Sequence, residues 1–245
     1  TPSACSTSAA EPSLTGAHMA RVSGQTMGLS ASTASTLIAW RYLRRDEAAN
    51  LMRMLMTGES TPAQASALLV ALRMKGETID EITGFAETMR ALATPIRTAR
   101  RPLVDTCGTG GDHSGTFNIS TTAAFVVAGA GVAVAKHGNR SATSLCGSAD
   151  VLEALGVKID QGQIEAEESL NKTGMCFMLA TIFHPAMSCA AVARREIGIR
   201  TVFNILGPLT NPARPDFQVV GVPSLCLGEK TARVLHRMGS KHALV

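Results

Sequence analysis

The 245-residue sequence has no long hydrophobic run, no dense cluster of positive charge and few aromatic residues. No stretch reaches the ~18 consecutive apolar residues that a membrane-spanning helix needs, so we predict no membrane segment. Lysine and arginine number 23 against 19 aspartates and glutamates, and the resulting net charge of +4 disfavours nucleic acid as a partner. The same weak positive charge is compatible with a small anionic ligand.

The six cysteines are scattered, and none of them forms a Cys-x-x-Cys pair. Such spacing predicts neither a zinc site nor a disulfide framework. Free thiols are typical of a reducing compartment, so we predict a cytoplasmic protein. Aromatic residues make up 4% of the chain whereas 22 residues are glycine, a composition that lets the backbone approach a ligand closely.

Three regions of different composition follow one another along the chain. Residues 1–35 are rich in Ser, Thr, Ala and Gly, which predicts a disordered or non-native arm. Residues 36–95 have the pattern of a small all-helical domain, with two capping boxes at helix starts. The capping boxes are Thr61 with Gln64 and Thr78 with Glu81. Residues 102–245 alternate apolar strands with helices, which predicts a larger α/β domain.

The alternation in the third region predicts a mostly parallel sheet flanked by helices. The predicted strands are Leu103–Thr106, Val132–Ala135, Val157–Ile159, Cys176–Leu179 and Gln218–Val222. The predicted helices are Thr121–Ala130, Ala149–Leu155, Gln163–Lys172, Pro185–Glu196 and Leu225–Met238. The apolar run at 243–245 has the character of a strand interior, so we predict that this domain is truncated at its C-terminus.

A glycine-rich loop with the sequence DTCGTGGDHSGTFNIST occupies residues 105–121, between a predicted strand and a predicted helix. Its glycines let backbone N–H groups point at ligand oxygens, and the helix start that follows favours a phosphate. A dinucleotide-binding Gly-x-Gly-x-x-Gly is excluded because His113 stands at the third glycine position. Asp112 within a phosphate site indicates a cation, so we predict a magnesium-dependent diphosphate ligand. A glycine-rich turn without a ligand is the alternative interpretation.

A second polar loop, KHGNRSATS at 136–144, follows the second predicted strand. Its cations, amide and hydroxyl groups are hydrogen-bond donors for oxyanions. Both loops leave the carboxyl ends of adjacent predicted strands, where open α/β sheets bind ligands. We therefore interpret the two loops as one binding site rather than as two solvated loops.

Two arginines, Arg194 and Arg195, come late on a predicted helix. The helix dipole alone favours cations at that end, so a structural role stays open for both, and more so for Arg195. His184 precedes a proline and is interpreted as a helix cap. Gly207-Pro208 and Asn211-Pro212 are interpreted as turns without necessary chemistry.

Five segments resemble, in sequence and in order, those of anthranilate phosphoribosyltransferases. They are GTGGD at 108–112, NIST at 118–121, KHGNR at 136–140, GSADVLEALG at 147–156 and RTVFNILGPLTNP at 200–212. The helical stretch at 56–78 is similar to the N-terminal domain of that family. The resemblance implies transfer of the phosphoribosyl group from phosphoribosyl pyrophosphate (PRPP) to the amine of anthranilate, a step of tryptophan biosynthesis, with magnesium as cofactor.

The resemblance also implies roles for individual residues. PRPP would be bound by Gly108, Gly111, Asp112, Thr116, Asn118, Ile119, Ser120, Thr121, Lys136, His137, Gly138, Asn139, Arg140, Ser141, Ala142, Thr143, Ser144 and Ser148. Anthranilate would be bound by Gly108, Asn139 and Arg194, with His137 and His184 along its route, and Ser120 would contact magnesium. The family implies no catalytic acid or base, since catalysis results from positioning and charge neutralisation. It further implies a homodimer formed through the N-terminal helices.

The sequence departs from the family pattern at several positions. His113 replaces a glycine, Thr143 replaces a serine, Leu145 replaces a polar or basic residue, and Ala180-Thr181 replaces an Ala-Pro pair. In the family, an adjacent Asp-Glu pair that binds magnesium lies beyond the position where this sequence stops. The resemblance therefore implies that these 245 residues alone are weakly active or inactive.

Two other functions are kept as alternatives. Pyrimidine nucleoside phosphorylases have a similar glycine turn, but their second loop has a Lys-x-Ser-x-Arg pattern where this chain has KHGNR at 136–140. A non-enzymatic, nucleic-acid-binding relative would have lost the glycine loop and would carry a basic groove. The intact loop and the modest charge disfavour that alternative.

Overall fold

The computed structural model of the protein describes residues 33, 36–37, 39–110, 115–141 and 146–245. The predicted arm at 1–35 falls almost entirely outside these ranges. So do eight residues in or directly after the two loops, namely Gly111, Asp112, His113, Ser114, Ala142, Thr143, Ser144 and Leu145. Within the described ranges, no helix is long and apolar enough to span a membrane.

Helices dominate the first part of the described chain. They are α1 (Arg45–Thr57), α2 (Pro62–Lys75) and α3 (Ile79–Leu92). Both predicted capping boxes form, because Thr61 accepts from the backbone N–H of Gln64 and Thr78 accepts from that of Glu81. Each cap satisfies a donor that the helix start would otherwise leave unpaired.

A glycine allows α1 and α3 to cross closely. A Cβ atom at Gly84 would lie 2.2 Å from the carbonyl oxygen of Arg45, so no larger residue fits there without separating the helices. The close crossing buries Leu51, Leu55 and Phe85 in one core. Burial of such apolar surface is the main stabilising contribution to the bundle.

A buried ion pair joins α2 to α3. Nζ of Lys75 lies 2.8 Å from Oε2 of Glu81, and these side chains are only 2% and 0% exposed. The Glu81 carboxylate also accepts from the backbone N–H groups of Leu43 and Thr78, each at 2.8 Å. The carboxylate predicted to cap a helix is therefore also the counterion of a buried lysine.

The rest of the chain builds an α/β domain whose described residues form a five-stranded sheet. The strands are β1 (Leu103–Gly108), β2 (Ala133–Gly138), β3 (Met175–Leu179), β4 (Phe217–Gly221) and β5 (His242–Leu244). The α-helices are α4 (Ile119–Gly129), α5 (Ser148–Ala154), α6 (Gln163–Thr173), α7 (Ala180–Phe183), α8 (Ser188–Ile197), α9 (Phe203–Leu206) and α10 (Leu225–Arg237). The strand order is β3-β2-β1-β4-β5, and every neighbouring pair is parallel. The predicted fold class is confirmed.

One predicted strand is wrong. Val157–Ile159 has no strand structure, and Ile159 instead packs against Phe177 and Leu179 of β3 as part of an irregular segment. A short apolar run is buried equally well by packing without strand pairing, and periodicity does not distinguish the two outcomes. The helix predicted at Pro185–Glu196 begins as a 3-10 turn, Pro185–Met187, before α8.

The backbone pairing between β1 and β2 is unusually short. It connects Leu103 with Ala133 and Val104 with Val134, and then it ends. By contrast, the pairing of β1 with β4 continues as far as Gly108, and that of β2 with β3 as far as Gly138. Beyond Val104 and Val134, β1 and β2 are therefore not hydrogen-bonded to each other through their backbones, up to the edge where parallel sheets bind ligands.

Candidate functional site

A cleft of about 650 Å³ opens at the carboxyl ends of β1, β2 and β3. The predicted site residues that line it are Gly108, Asn118, Ser120, Lys136, His137, Gly138, Asn139, Arg140, Ser141, Ser148, His184 and Arg194. Three predicted residues lie outside its lining, namely Thr116, Ile119 and Thr121. Gly111, Asp112, Ala142, Thr143 and Ser144 fall outside the described residues. The fold thus brings parts of both predicted loops and the predicted arginine to one cleft.

Lys136 is the most deeply buried cation of the cleft, with 1% of its surface exposed. Its Nζ donates to the carbonyl oxygen of Thr106 and lies 3.4 Å from Oγ of Ser120. Burial lowers the pKa of Lys136, and the nearby Asp105 carboxyl opposes that shift. An ammonium group has three N–H donors, of which the described residues engage two. A ligand oxygen can accept the third.

The start of α4 faces the cleft without a side-chain cap. Asn118 is the N-cap residue, but its Oδ1 accepts from the hydroxyl of Thr121 at 3.2 Å rather than from the backbone of the helix. Its Nδ2 donates to the carbonyl oxygen of Cys146 at 3.0 Å, which ties α4 to the second loop. A helix start whose backbone donors are not capped suits an anionic ligand.

Asp150 of α5 closes the loop that follows β2. Its Oδ2 accepts from the backbone N–H of Ser141 at 3.0 Å and from that of Gly147 at 2.8 Å. These hydrogen bonds, the one from Ser141 first, lower the pKa of Asp150. A Cβ atom at Gly147 would lie 2.3 Å from the backbone nitrogen of Ser141, so only glycine fits where the two ends of the loop meet.

The guanidinium of Arg140 is engaged by two carboxylates of α5. Its Nη1 lies 2.7 Å from Oε2 of Glu153 and 3.0 Å from Oδ1 of Asp150. The hydrogen bond to Glu153, followed by that to Asp150, raises the pKa of Arg140. A phosphate would have to compete with these carboxylates, so Arg140 is a weaker donor to a ligand than Lys136.

Two neutral histidines face one another in the cleft, with ring centroids 5.0 Å apart. Nδ1 of His137 lies 3.2 Å from the carbonyl oxygen of Gly207, whereas its Nε2 has no hydrogen-bond partner among the described residues. Neither ring nitrogen of His184 makes a hydrogen bond of normal geometry within that same part of the chain. Burial lowers the pKa of His137 to about 3 and that of His184 to about 4, although the backbone of Thr210 opposes the second shift. Both rings are therefore uncharged at neutral pH and face the ligand space.

Arg194 of α8 places a further cation in the lining of the cleft. Its guanidinium carbon lies 4.9 Å from the ring centroid of Phe203, a cation–π contact. Burial lowers the pKa of Arg194, and no described carboxylate forms an ion pair with it. The geometry leaves this guanidinium available to a carboxylate ligand. Arg195, next to it, is exposed and does not line the cleft.

The described lining of the cleft contains cations and hydroxyl groups but no aspartate or glutamate. In the part of the chain that the structure covers, no group of three or more His, Cys, Asp or Glu side chains could hold a metal ion. The hydroxyl of Ser120 is a possible magnesium ligand at the cleft. These residues fit magnesium when the ion also brings phosphate oxygens, which is the usual way in which proteins bind it.

Sequence reasoning missed several residues that build the site. Asn211, interpreted as part of a turn, donates from Nδ2 to Oδ2 of the fully buried Asp105 at 2.8 Å. Arg90 of α3 donates to the carbonyl oxygen of Leu209 at 2.7 Å and ties the helical part to the same turn. The one sequence signal for these residues was the family resemblance at 200–212. That segment is longer than a turn needs, which indicates a further role.

Comparison with known proteins identifies both parts of the chain. The model of the glycosyl transferase family α/β domain matches residues 100–245, and the model of that family's helical bundle domain matches residues 35–93. Curated anthranilate phosphoribosyltransferases of Moorella thermoacetica and Pelotomaculum thermopropionicum are 59% and 57% identical to this chain. These alignments cover 86% and 85% of this chain, and 62% and 61% of the two relatives.

Solved structures of anthranilate phosphoribosyltransferases are also similar to this chain. The crystal structure of anthranilate phosphoribosyltransferase (TrpD) from Thermus thermophilus matches with a TM-score of 0.81 at 49% identity, covering 84% of this chain and 63% of that one. The enzyme from Saccharomyces cerevisiae in complex with PRPP and Mg matches with a TM-score of 0.79 at 25% identity, covering 86% of this chain and 62% of that one. The chain spans about 62% of the length of the first of the curated relatives. It belongs to the glycosyl transferase family that combines a helical bundle domain with an α/β domain.

Proposed function

We propose that the protein transfers the phosphoribosyl group of PRPP to the amine of anthranilate, giving N-(5-phosphoribosyl)anthranilate and pyrophosphate. The observation that carries the proposal is the cleft at the carboxyl ends of β1, β2 and β3, which joins a buried lysine and an uncapped helix start to a separate arginine. The first pair suits a diphosphate and the arginine suits a carboxylate. Relatives with the name of this enzyme are 57–59% identical to the chain.

The diphosphate would lie between the two loops. We assign its binding to Gly108, Asn118, Ser120, Lys136, Asn139, Ser141 and Ser148, all on the cleft. Lys136 supports this assignment because its ammonium group is buried, where a charge-assisted hydrogen bond to an oxyanion is strong. The remaining residues that the resemblance implies, including Gly111, Asp112, Thr116 and Arg140, stay part of the proposal.

Anthranilate would lie on the side of Arg194. The guanidinium has no competing described carboxylate and matches the planar carboxylate of an aromatic acid. His137 and His184 add uncharged acceptor nitrogens, which suit a neutral amine as a hydrogen-bond donor. Because an aromatic amine is already nucleophilic, the site requires no strong base.

The proposed reaction depends on alignment and on charge. The amine nitrogen forms a bond to the anomeric carbon of the ribose while the bond from that carbon to the pyrophosphate oxygen breaks, and the nitrogen then loses a proton. Holding two substrates in line contributes up to about 7–11 kcal/mol to lowering the barrier in comparable reactions. Lys136 and the start of α4 would stabilise the charge that develops on the departing pyrophosphate.

Magnesium fits this proposal as an ion bound together with the diphosphate. Ser120 would hold it through its hydroxyl, in a cleft whose described lining has no carboxylate. The ion would supply positive charge that neutralises the leaving group. Nζ of Lys136 lies 3.4 Å from Oγ of Ser120, so it would donate to oxygens of the same diphosphate.

The proposal includes the wider organisation of the protein. Residues 36–95 would form the helical domain and residues 102–245 the phosphoribosyl-binding domain, in a cytoplasmic protein. A homodimer through the helical domain is supported by three exposed apolar side chains in it, since Trp40, Tyr42 and Met74 are 61%, 62% and 66% exposed. An interface would cover such side chains.

Binding is the deciding measurement, because the chain spans about 62% of the length of the first of the curated relatives. Isothermal titration calorimetry should detect PRPP binding in the presence of Mg²⁺ and weaker binding after chelation by EDTA. Anthranilate fluorescence, followed with PRPP present, tests turnover in the same protein. An absence of PRPP binding contradicts the proposal. Release of free base from thymidine by phosphate would then indicate a phosphorylase, and salt-dependent DNA binding would indicate the nucleic-acid alternative.

Replacing Arg194 should separate the two substrates. We expect Arg194→Ala to raise the Kd or KM for anthranilate about 10- to 100-fold, the usual effect of losing a charge-assisted hydrogen bond. PRPP binding should stay within about twofold, since the proposal assigns the diphosphate to Lys136 and the start of α4 rather than to Arg194. Arg195→Ala is the matched control, because it removes an exposed arginine from the same helix end. Equal anthranilate affinities in the two variants would show that the carboxylate binds elsewhere.

A further inference from the structure

The side chains of Asp105 and Asn211 are hydrogen-bonded to each other where the backbones of β1 and β2 are no longer paired. Both residues are 0% exposed. Nδ2 of Asn211 donates to Oδ2 of Asp105 at 2.8 Å and to the carbonyl oxygen of Ala135, also at 2.8 Å. Two polar side chains from distant segments thus lie where the backbone pairing of the two strands has stopped.

The two side chains replace the hydrogen bonds that the separated strands cannot make. The carbonyl oxygen of Ala135 accepts from Asn211, and the backbone N–H of His137 donates to Oδ1 of Asp105 at 3.4 Å. In a continuous ladder these backbone groups of β2 would pair with β1. Buried backbone groups are almost always paired. The side-chain partners therefore allow β2 to stay apart from β1 without leaving its groups unsatisfied.

The pair is held in place from both sides. Oδ1 of Asn211 accepts from the backbone N–H of Ala213 at 2.8 Å, which fixes the amide orientation. Burial raises the pKa of Asp105, while the charge of Lys136 and the hydrogen bond from Asn211 oppose that shift. Nζ of Lys136, on β2, donates to the carbonyl oxygen of Thr106 on β1. Side chains therefore bridge the two strands where their backbones are not paired.

We propose that Asp105 and Asn211 form a wedge that keeps β1 and β2 apart and thereby positions Lys136 and His137 for the diphosphate. Neither residue lines the cleft, so both act through the residues that do. The identity of the ligand rests on the proposed function. The separation of the strands is a property of the sheet and is tested without any ligand.

The first test compares two buried amides. Gln218 of β4 is also buried, and its Nε2 donates to the carbonyl oxygen of Pro208 at 2.8 Å, but β1 lies between β4 and β2 in the sheet. We expect both variants to lower the Tm, Asn211→Ala by more, because it removes three buried hydrogen bonds whereas Gln218→Ala removes one. Calorimetry with inorganic pyrophosphate should show about tenfold weaker binding for Asn211→Ala, as when one oriented hydrogen bond is lost, and little change for Gln218→Ala. Equal pyrophosphate affinities in the two variants overturn the wedge.

The second test is a crystal structure of Asn211→Ala. We expect β1 and β2 to approach each other and their pairing to extend beyond Val104. Strands that stay apart, with water in place of the amide, would overturn the proposal. If the unmodified protein does not bind pyrophosphate, the proposed function fails, and the strand geometry alone decides whether the wedge exists.

A change at Asp105 provides a third test. In Asp105→Asn, one amide donor has to face either the amide of Asn211 or the backbone N–H of His137, which are themselves donors. We therefore expect Asp105→Asn to weaken pyrophosphate binding, as Asn211→Ala does. Unchanged pyrophosphate affinity in Asp105→Asn would contradict the wedge.

Discussion

Lys136→Ala is expected to produce the largest loss of ligand binding of any single substitution in the cleft. The ammonium group is buried, and it contributes a charge-assisted hydrogen bond where water cannot screen it. Loss of that interaction should weaken PRPP and pyrophosphate binding by about 10- to 150-fold. Calorimetry with each ligand measures the effect directly.

Two controls isolate the charge of Lys136 from its packing. Lys136→Met keeps the aliphatic stem, so we expect it to lose as much binding as the alanine variant while unfolding at a higher temperature. Lys158→Ala removes a lysine that is paired with Glu165 at 2.6 Å and lies outside the cleft lining, and it should not alter binding. Unchanged PRPP affinity in Lys136→Met would mean that this ammonium group does not contact the diphosphate.

Glu81→Ala is expected to cause the largest loss of stability. The substitution leaves the ammonium group of Lys75, 2% exposed, without its counterion and leaves the backbone N–H groups of Leu43 and Thr78 without their acceptor. Breaking a buried pair in this way costs about 3–5 kcal/mol. Such a loss is a large part of the roughly 5–15 kcal/mol that is typical of whole domains, so urea denaturation should detect it clearly.

The chain offers a matched control for Glu81. Glu47 occupies the same N3 position in α1 and accepts from the backbone N–H of Arg44 at 2.8 Å, but its side chain is 41% exposed. We expect Glu47→Ala to cost about 1 kcal/mol or less. The double variant Glu81→Ala/Lys75→Met should recover part of the stability, because it removes the uncompensated charge. If both glutamate variants unfold alike, the buried pair does not stabilise the bundle.

The parts of the fold that depend on neighbours in sequence were predictable. The capping boxes at Thr61 and Thr78 form because the residues that close them are three positions apart. The order of strands and helices followed from the alternation of apolar runs and turn signals. The strand prediction for Val157–Ile159 was wrong because an apolar run can be buried by packing alone. The residues of β3 that it packs against are distant in sequence.

The parts of the site that depend on distant contacts were not predictable. Nothing near Asn211 indicates that its amide meets Asp105, 106 positions earlier. Nor does the composition of the second loop indicate that Asp150 and Glu153 engage Arg140, since this contact requires α5 to fold back along the loop. The motifs predicted which segments line the cleft, whereas the contacts among their side chains depend on tertiary packing.

The two histidines that face each other in the cleft also make the fold less stable in acid. An unfolded histidine has a pKa of about 6.5, whereas burial lowers the pKa of His137 to about 3 and that of His184 to about 4. Unfolding in mildly acidic solution therefore takes up protons at both rings. Above about pH 6.5 the two rings do not alter the free energy of unfolding as pH changes. Between that value and the folded-state pKa of each ring, every pH unit lowers the free energy of unfolding by about 1.4 kcal/mol per histidine. A cleft that keeps its imidazoles uncharged for a ligand thus makes the whole molecule sensitive to acidification.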